Sequence, residues 1–151
     1  MKHSEVVAAQ AQVRQQLEEA GLPLAPDAHI EIADFGLGRF AREGLGSVIR
    51  VNEPQYCSKF LTLLPGQECP RHSHKLKKET FFALRGKVSL DVDGEPVHLS
   101  PGMRYTLEPG TKHSFRSDTG AVIEEVSTHD ENSDSYFDDP AIVRDPAITG
   151  D

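Results

Sequence analysis

Tight turns built from glycine and proline recur along the middle of this chain, and they constrain its fold more than any other feature. They stand at residues 64–66, 93–94, 100–102, 108–110 and 118–120, where the sequence reads LPG, DG, SPG, EPG and DTG. Only short strands fit between turns so close together. Many short strands joined by such turns are typical of an antiparallel sandwich or barrel. We therefore predict an all-β fold.

Short apolar runs between these turns give the positions of the strands. The clearest is Val88-Ser89-Leu90-Asp91-Val92, in which apolar and polar residues alternate as they do on a half-buried strand. The Asp93-Gly94 pair that follows predicts a two-residue hairpin turn. By the same reasoning we predict strands over residues 46–51, 56–64, 80–85, 87–92, 95–99, 104–107, 113–116 and 121–127.

The two ends of the chain differ in character from this middle part. Residues 4–20 have apolar side chains at helical spacing, with Ser4 as the expected N-cap and Gly21 and Pro23 after the last turn. We expect residues 1–22 to form a helix packed on the barrel and residues 23–130 to form the barrel itself. Residues 131–151 are acidic and contain several prolines, which leaves two alternatives, a wrapping arm or a partly disordered tail.

Composition excludes several classes of function. The 151 residues carry a formal net charge of −8, which argues against nucleic acid or an anionic membrane as a partner. No apolar stretch approaches the roughly 18–20 residues that a membrane span needs, and the polar N-terminus lacks a secretory core, so we expect a cytoplasmic protein. Two cysteines are too few for a disulfide framework and predict reduced thiols. The basic stretch RHSHKLKK (residues 71–78) is interpreted as a solvated loop.

Two segments carry residues that can bind a metal. The first reads Gly66-x5-His72-x-His74-x4-Glu79-x6-Gly86, and the second reads Gly102-x5-Glu108-x-Gly110-x2-His113. On an extended segment, residues two apart point to the same face, so His72 and His74 can share one ion. Together with Glu79 and His113 they form a nitrogen–oxygen set suited to manganese, iron, cobalt, nickel or zinc. A lone His-x-His is commonly just exposed, but here the glycines, the glutamate and the third histidine coincide.

This two-part pattern resembles the cupin superfamily, whose motifs are G-x5-H-x-H-x3,4-E-x6-G and G-x5-P-x-G-x2-H-x3-N. The first motif is matched in full. The second departs at Glu108 and Ser117, and neither position is a ligand. The resemblance implies a single cupin-type antiparallel β-barrel, or jelly roll, with a divalent metal in its mouth. Because cupin-like sheets commonly cover an exposed face by pairing, it also implies a homodimer.

A closer resemblance runs over residues 34–146. The strings DFGLG, YCSK, LLPGQECPRHSH, KKETF, RGKVSLDVDGE, EPGTKHSF, GAVIEEVST and FDDPAI are similar to those of short bacterial D-lyxose ketol-isomerases and of related sugar-linked cupins. That family implies a manganese-dependent isomerase of a small sugar, of the D-lyxose/D-xylulose or D-mannose/D-fructose type. It further implies that Glu125 is the general base and that Lys59 supports a sugar oxygen. Alternation alone does not decide between Glu124 and Glu125.

Two alternatives to an isomerase remain open at this level. An iron-dependent dioxygenase can use the same four ligands, and a non-catalytic cupin can bind a sugar without turnover. The sequence also departs from the isomerases around the site, with only KLKK between His74 and Glu79, a short segment before the second motif, and Ser114 at an expected tryptophan. Loops on the rim commonly select the substrate, so these departures bear on which sugar is bound.

Overall fold

The structure is a computed structural model that describes residues 1–150 and begins with a helix. Helix α1 (His3–Glu19) buries four apolar side chains on one face, namely Val6, Ala9, Val13 and Leu17. The prediction that Ser4 caps this helix is wrong, because Lys2 occupies the N-cap position. The Lys2 backbone N–H donates to Glu5 Oε2 at 2.7 Å, as an acidic residue at the third helical position allows. No helix within residues 1–150 is long and apolar enough to cross a membrane.

The rest of the described chain is built from strands. They are β1 (Glu31–Ala33), β2 (Leu45–Asn52), β3 (Cys57–Leu63), β4 (Gln67–Ser73), β5 (Glu79–Arg85), β6 (Val88–Val92), β7 (Glu95–Leu99), β8 (Arg104–Leu107), β9 (His113–Ser117), β10 (Ala121–Ser127) and β11 (Tyr136–Phe137). A six-stranded antiparallel sheet has the order β1-β2-β3-β10-β5-β8, and a five-stranded one has the order β11-β4-β9-β6-β7. A short 3-10 turn (Asn132–Asp134) precedes β11.

Two apolar clusters hold these layers together. The main core lies between the sheets, where Leu61 and Ile123 of the six-stranded sheet join Leu90 and Phe115 of the five-stranded one. A second cluster forms on the opposite face of the six-stranded sheet, under α1, and combines Val13, Leu17, Ile30, Val48, Phe60 and Val122. Strands β3 and β10 are therefore buried on both faces, which explains their nearly continuous apolar character.

The predicted all-β jelly roll with an N-terminal helix is confirmed, although the two sheets are not closed into a strict barrel. The structure also contains three strands that were not predicted: β1, β4 and β11. Strand β4 has the sequence QECPRHS, whose polar residues and central Pro70 conceal it. The predicted hairpin turn is present, since Asp93 and Gly94 both adopt positive φ values of 49° and 90° between β6 and β7.

The last glycine of the first motif has a steric role. Gly86 adopts a φ of +75°, and a Cβ atom there would lie 2.1 Å from the carbonyl oxygen of Gly120. Only glycine allows both that conformation and that close approach. The turn after β5 thus lies directly against the start of β10, which fixes two of the strands that carry site residues.

Candidate active site

Three histidines converge between the two sheets. His72 lies on β4 and pairs in register with His113 on β9, and His74 follows directly after β4. All three are buried, and their ligand nitrogens lie within 4.8 Å of one another. The spacing of the two motifs therefore brings together the histidines that the sequence singled out.

Backbone carbonyls fix the orientation of each imidazole ring. The Nδ1 atoms of His72, His74 and His113 lie 2.7, 2.9 and 3.1 Å from the carbonyl oxygens of Pro70, Asp134 and Thr111, respectively. A carbonyl only accepts, so each Nδ1 carries the hydrogen and each neutral ring keeps a lone pair on Nε2. This arrangement is the usual support of a metal-binding histidine.

Glu79, at the start of β5, meets this cluster. Its Oε1 lies 3.0 Å from His113 Nε2 and 3.4 Å from His74 Nε2. Within residues 1–150, His113 Nε2 and both Glu79 oxygens are buried without a partner in hydrogen-bond geometry. Lone pairs that face one another in a buried site repel unless a cation lies between them.

These features fit a divalent metal ion. Burial lowers the pKa of His72 well below its ordinary value, and the neighbouring His113 and His74 lower it further, so the ring is neutral. Burial alone would raise the pKa of Glu79, but the Lys77 ammonium lowers it well below its ordinary value and keeps the carboxylate ionised. Neutral imidazoles and an ionised carboxylate are the forms that bind metals.

The two predicted catalytic residues lie on adjacent strands and face the same cavity. Lys59 on β3 and Glu125 on β10 are register partners, and both are buried. Glu124 points to the opposite face of the sheet, where its Oε2 lies 3.5 Å from Arg50 Nη1 and a third of the side chain is exposed. Of the two glutamates left open by the sequence, Glu125 is therefore the one that reaches the cavity.

A second buried lysine, which the sequence interpretation missed, links these groups. Lys77 Nζ lies 3.2 Å from Glu79 Oε2, 3.4 Å from Glu125 Oε2 and 2.8 Å from Asp130 Oδ1. The other oxygen of Asp130 accepts from Lys59 Nζ at 2.9 Å. Two ammonium groups and three carboxyl groups thus form one connected network beside the histidines.

Burial and the electrostatic interactions among these groups determine the direction of each pKa shift in the network. Burial would lower the pKa of Lys77, but Glu125, Glu79 and Asp130 raise it above its ordinary value. Burial would raise the pKa of Asp130, but Lys77 and Lys59 lower it. Glu125 behaves differently, since burial and then the Glu79 carboxylate raise its pKa. The site therefore combines two lysines with one carboxyl group whose protonated form is favoured by burial and by the Glu79 carboxylate.

The cavity that contains these groups has a volume of about 240 Å³. Its lining includes Lys59, Lys77, Glu79 and Glu125 of the network, together with the aromatic ring of Phe81. Its outer wall comes from both chain ends, with Val6 and Gln10 of α1 and Arg144, Pro146 and Ile148 of the C-terminal segment. Such a concave site, with few convergent polar groups, is typical of small-molecule binding.

The interpretation of residues 71–78 as a solvated basic loop is wrong in part. Lys77 is buried, Arg71 pairs with Asp91 and Asp138, and Lys78 pairs with Glu108. One available signal could have indicated Lys77: it lies two residues before Glu79 and so shares its face on an extended segment. Asp130 lies beyond the last predicted strand and gave no such signal.

Neither of the two cysteines belongs to this charge network. Both are free and buried, and burial raises the pKa of each thiol. Cys69 lines the cavity, but its thiol stays protonated and is therefore a poor nucleophile.

Known proteins resemble this chain over its whole length. A family model described as "Cupin domain" matches residues 59–127. A D-lyxose/D-mannose isomerase of Thermosediminibacter oceani is 36% identical over an alignment 178 positions long, gaps included, which covers 98% of each chain. A D-lyxose ketol-isomerase of Cohnella laeviribosi is 36% identical over an alignment 181 positions long, gaps included, which covers 100% of each chain. The structure of L-ribose isomerase from Acinetobacter sp. DL28 in complex with L-ribose superposes with a TM-score of 0.84 at 15% identity, covering 100% of this chain and 98% of the other, which shows a shared fold. With its cupin architecture and its full-length similarity to these relatives, the chain belongs to the D-lyxose ketol-isomerase family of the cupin superfamily.

Proposed function

We propose that this protein is a metal-dependent aldose–ketose isomerase that acts on a free pentose or hexose. One observation carries the proposal: the Glu125 carboxyl group, whose pKa is raised, lies 3.4 Å from the Lys77 ammonium in the cavity that His72 and His74 also line. Aldose–ketose exchange needs a proton moved between two adjacent carbons while charge develops on their oxygens. A proton-transferring carboxyl group, fixed cations and a metal site meet these needs.

The metal would be held by His72, His74, His113 and Glu79. Bound there, a divalent ion supplies Lewis-acid polarisation of the sugar oxygens. Manganese is the ion that the family resemblance implies, and iron, cobalt, nickel and zinc suit the same donor set.

Glu125 is the general base of the proposal. Its carboxylate takes the proton from C2 of the open-chain aldose, which leaves an enediolate, and returns it to C1, while the proton of the C2 hydroxyl group moves to the C1 oxygen. The raised pKa makes the protonated form accessible during this transfer, as an efficient acid–base group requires. The Lys77 and Lys59 ammonium groups line the same cavity and stabilise negative charge on the sugar oxygens.

A free sugar suits the cavity better than a phosphorylated one. Lys59 and Lys77 are paired with three carboxyl groups, and Arg144 in the cavity wall lies 3.9 Å from one of them, Asp130, so little unpaired positive charge is left for a phosphate. Outside it, Arg71 and Lys78 are paired with acidic side chains. The names of the two relatives point to D-lyxose first and D-mannose second.

The test is isomerisation by the purified full-length protein with Mn²⁺ and a panel of free and phosphorylated pentoses and hexoses. Proton NMR in D₂O follows the ketose and reports solvent deuterium at the transferred position. Glu125→Gln is expected to lose about 10²–10⁴-fold in kcat, the usual contribution of a general base. Glu124→Gln is the matched control, because it removes the same group from the neighbouring residue on the outer face.

Three results would count against the proposal. Absence of turnover across the panel with Mn²⁺, Co²⁺, Zn²⁺, Ni²⁺ and Fe²⁺ would contradict it, and sugar-induced thermal stabilisation without turnover would favour a binding module. Oxygen consumption with Fe²⁺ that survives both Lys59→Ala and Glu125→Gln would favour a dioxygenase. Equal activity of Glu125→Gln and Glu124→Gln would exclude Glu125 as the base.

We also propose a homodimer. The outer face of the six-stranded sheet beyond α1 carries apolar Phe82, Leu84 and Val126, of which Leu84 and Val126 are 37% and 39% exposed. A second copy would cover this face. Sedimentation of the wild type against Leu84→Glu tests it, since a charge placed there is expected to yield monomers, and a wild type that sediments as a monomer would refute it.

A further inference from the structure

Asp134 binds the loop between the histidine motif and β5 from a distant part of the chain. Its Oδ1 accepts the backbone N–H groups of Lys75 and Leu76 at 2.9 and 3.1 Å, and its Oδ2 accepts those of Leu76 and Lys77 at 3.2 and 3.0 Å. The residue is only 5% exposed. One carboxylate thus satisfies three consecutive backbone donors.

The same residue also holds a histidine of the metal cluster. The Asp134 carbonyl oxygen lies 2.9 Å from His74 Nδ1, so it accepts the hydrogen that fixes this ring. His74 directly precedes the three residues whose N–H groups the carboxylate accepts, and Lys77 is the last of the three. Asp134 therefore contacts, through different atoms, the segment that carries both groups.

We propose that Asp134 is a positioning residue that sets the geometry of His74 and of Lys77 at once. The catalytic part of this role rests on the proposed function. The expected effect of Asp134 on metal binding does not depend on that function. Asp134 acts through its backbone carbonyl on the metal ligand and through its carboxylate on the loop that carries Lys77. The 3-10 turn of residues 132–134 thus positions two groups of the site, His74 and Lys77.

The carboxylate is chemically required for this role. Three N–H groups converge on it, and an ionised carboxylate is acceptor-only, with room for all of them. The isosteric Asp134→Asn places an NH₂ group where one oxygen accepted from Leu76 and Lys77. A donor would then face donors in a buried position, and the loop must shift. Neighbouring Ser133 is exposed, so Ser133→Ala is a matched control.

The first readout is metal affinity, which needs no assumption about the reaction. Titration of metal-free protein with Mn²⁺ by EPR, and with Co²⁺ by visible absorption, is expected to show about 10–100-fold weaker binding for Asp134→Asn, the usual effect of a group that supports a ligand. A changed Co²⁺ spectrum at saturation would show that the ligand geometry itself has shifted. Ser133→Ala is expected to match the wild type in both, and far-UV circular dichroism checks that each variant is folded.

The second readout is a double-mutant cycle with Lys77→Met at saturating Mn²⁺. Asp134→Asn alone is expected to lower kcat about 10–100-fold with less than about a threefold change in KM. In the Lys77→Met background, Asp134→Asn should lower kcat by less than about threefold, because the ammonium group that Asp134 positions is already absent. If Asp134→Asn fails to fold, Asp134→Glu, which keeps the carboxylate on a longer side chain, replaces it in both readouts.

Unchanged metal affinity and Co²⁺ spectrum, or multiplicative losses in the cycle, would overturn the proposal. A wild type without isomerase activity but with the predicted difference in metal affinity would refute the proposed function and leave the His74 role standing.

Discussion

Replacing Asp130 measures how much this one carboxylate of the buried charge network contributes to the stability of the fold. Asp130→Asn keeps the size of the side chain and removes the charge that accepts from Lys59 Nζ at 2.9 Å and Lys77 Nζ at 2.8 Å. All three side chains are 7% exposed or less. The variant therefore leaves two ammonium groups in the interior with less negative charge to balance them.

The expected loss in the free energy of unfolding follows from the burial of these ion pairs. Removing one partner of a buried ion pair costs about 3–5 kcal/mol, and the amide oxygen of asparagine can still accept one hydrogen bond, so we expect about 3 kcal/mol. For a domain of this size each 1 kcal/mol lowers Tm by about 2–4 °C, which gives a decrease of about 10 °C. Glu124→Gln breaks the partly exposed pair with Arg50, and an exposed pair contributes about 0–1 kcal/mol, so its Tm should fall by no more than about 4 °C.

Calorimetry and urea unfolding of both variants in EDTA measure these differences without a contribution from bound metal. The pH dependence is a second check. Lys77 and Lys59 lower the pKa of Asp130 below its ordinary value of 3.8, so its contribution is complete above that pH and is lost as pH falls toward the lowered value. The difference between wild type and Asp130→Asn should be constant from pH 5 upward and shrink below about pH 4. Equal Tm decreases in Asp130→Asn and Glu124→Gln would refute the reasoning.

Three further predictions test other parts of the structure. At a free Mn²⁺ concentration of about 100 times Kd, the wild type should gain about 2.7 kcal/mol of stability, and His113→Ala should gain almost none, as metal titrations of Tm would show. Gly86→Ala should cost more than about 3 kcal/mol in urea unfolding, because its Cβ would strike a backbone carbonyl, whereas Gly94→Ala, with open space around it, should cost about 1–3 kcal/mol from positive φ alone. Cys57 and Cys69 should resist Ellman's reagent in the native protein at pH 8 and react once it is unfolded, because both thiols are buried.

The convergence of the candidate metal ligands could be predicted because their geometry is local. His72 and His74 are two residues apart on extended backbone, and turns position Glu79 and His113 within a fold made of hairpins. Glu124 and Glu125 could not be separated in this way. Helix α1 covers Val122 on the outer face, while Ile123 lies in the main core, so apolar residues stand on both faces of β10 and alternation carries no information.

The roles of Asp130 and Asp134 were beyond sequence interpretation because these residues meet their partners only in three dimensions. Asp130 and Asp134 lie 53 to 59 positions after the loop residues they bind. Local pattern therefore suggested a solvated basic loop at one place, and at another it left open a wrapping arm or a partly disordered tail. Burying an unpaired ammonium group costs several kcal/mol, so the fold can place Lys77 inside only if carboxylates arrive from elsewhere in the chain. Two of the three carboxylates that contact it come from strands β5 and β10, and the third comes from the segment that follows β10. An acidic stretch after the last core strand of a barrel with a buried lysine is thus better interpreted as the source of its counter-charge than as a tail.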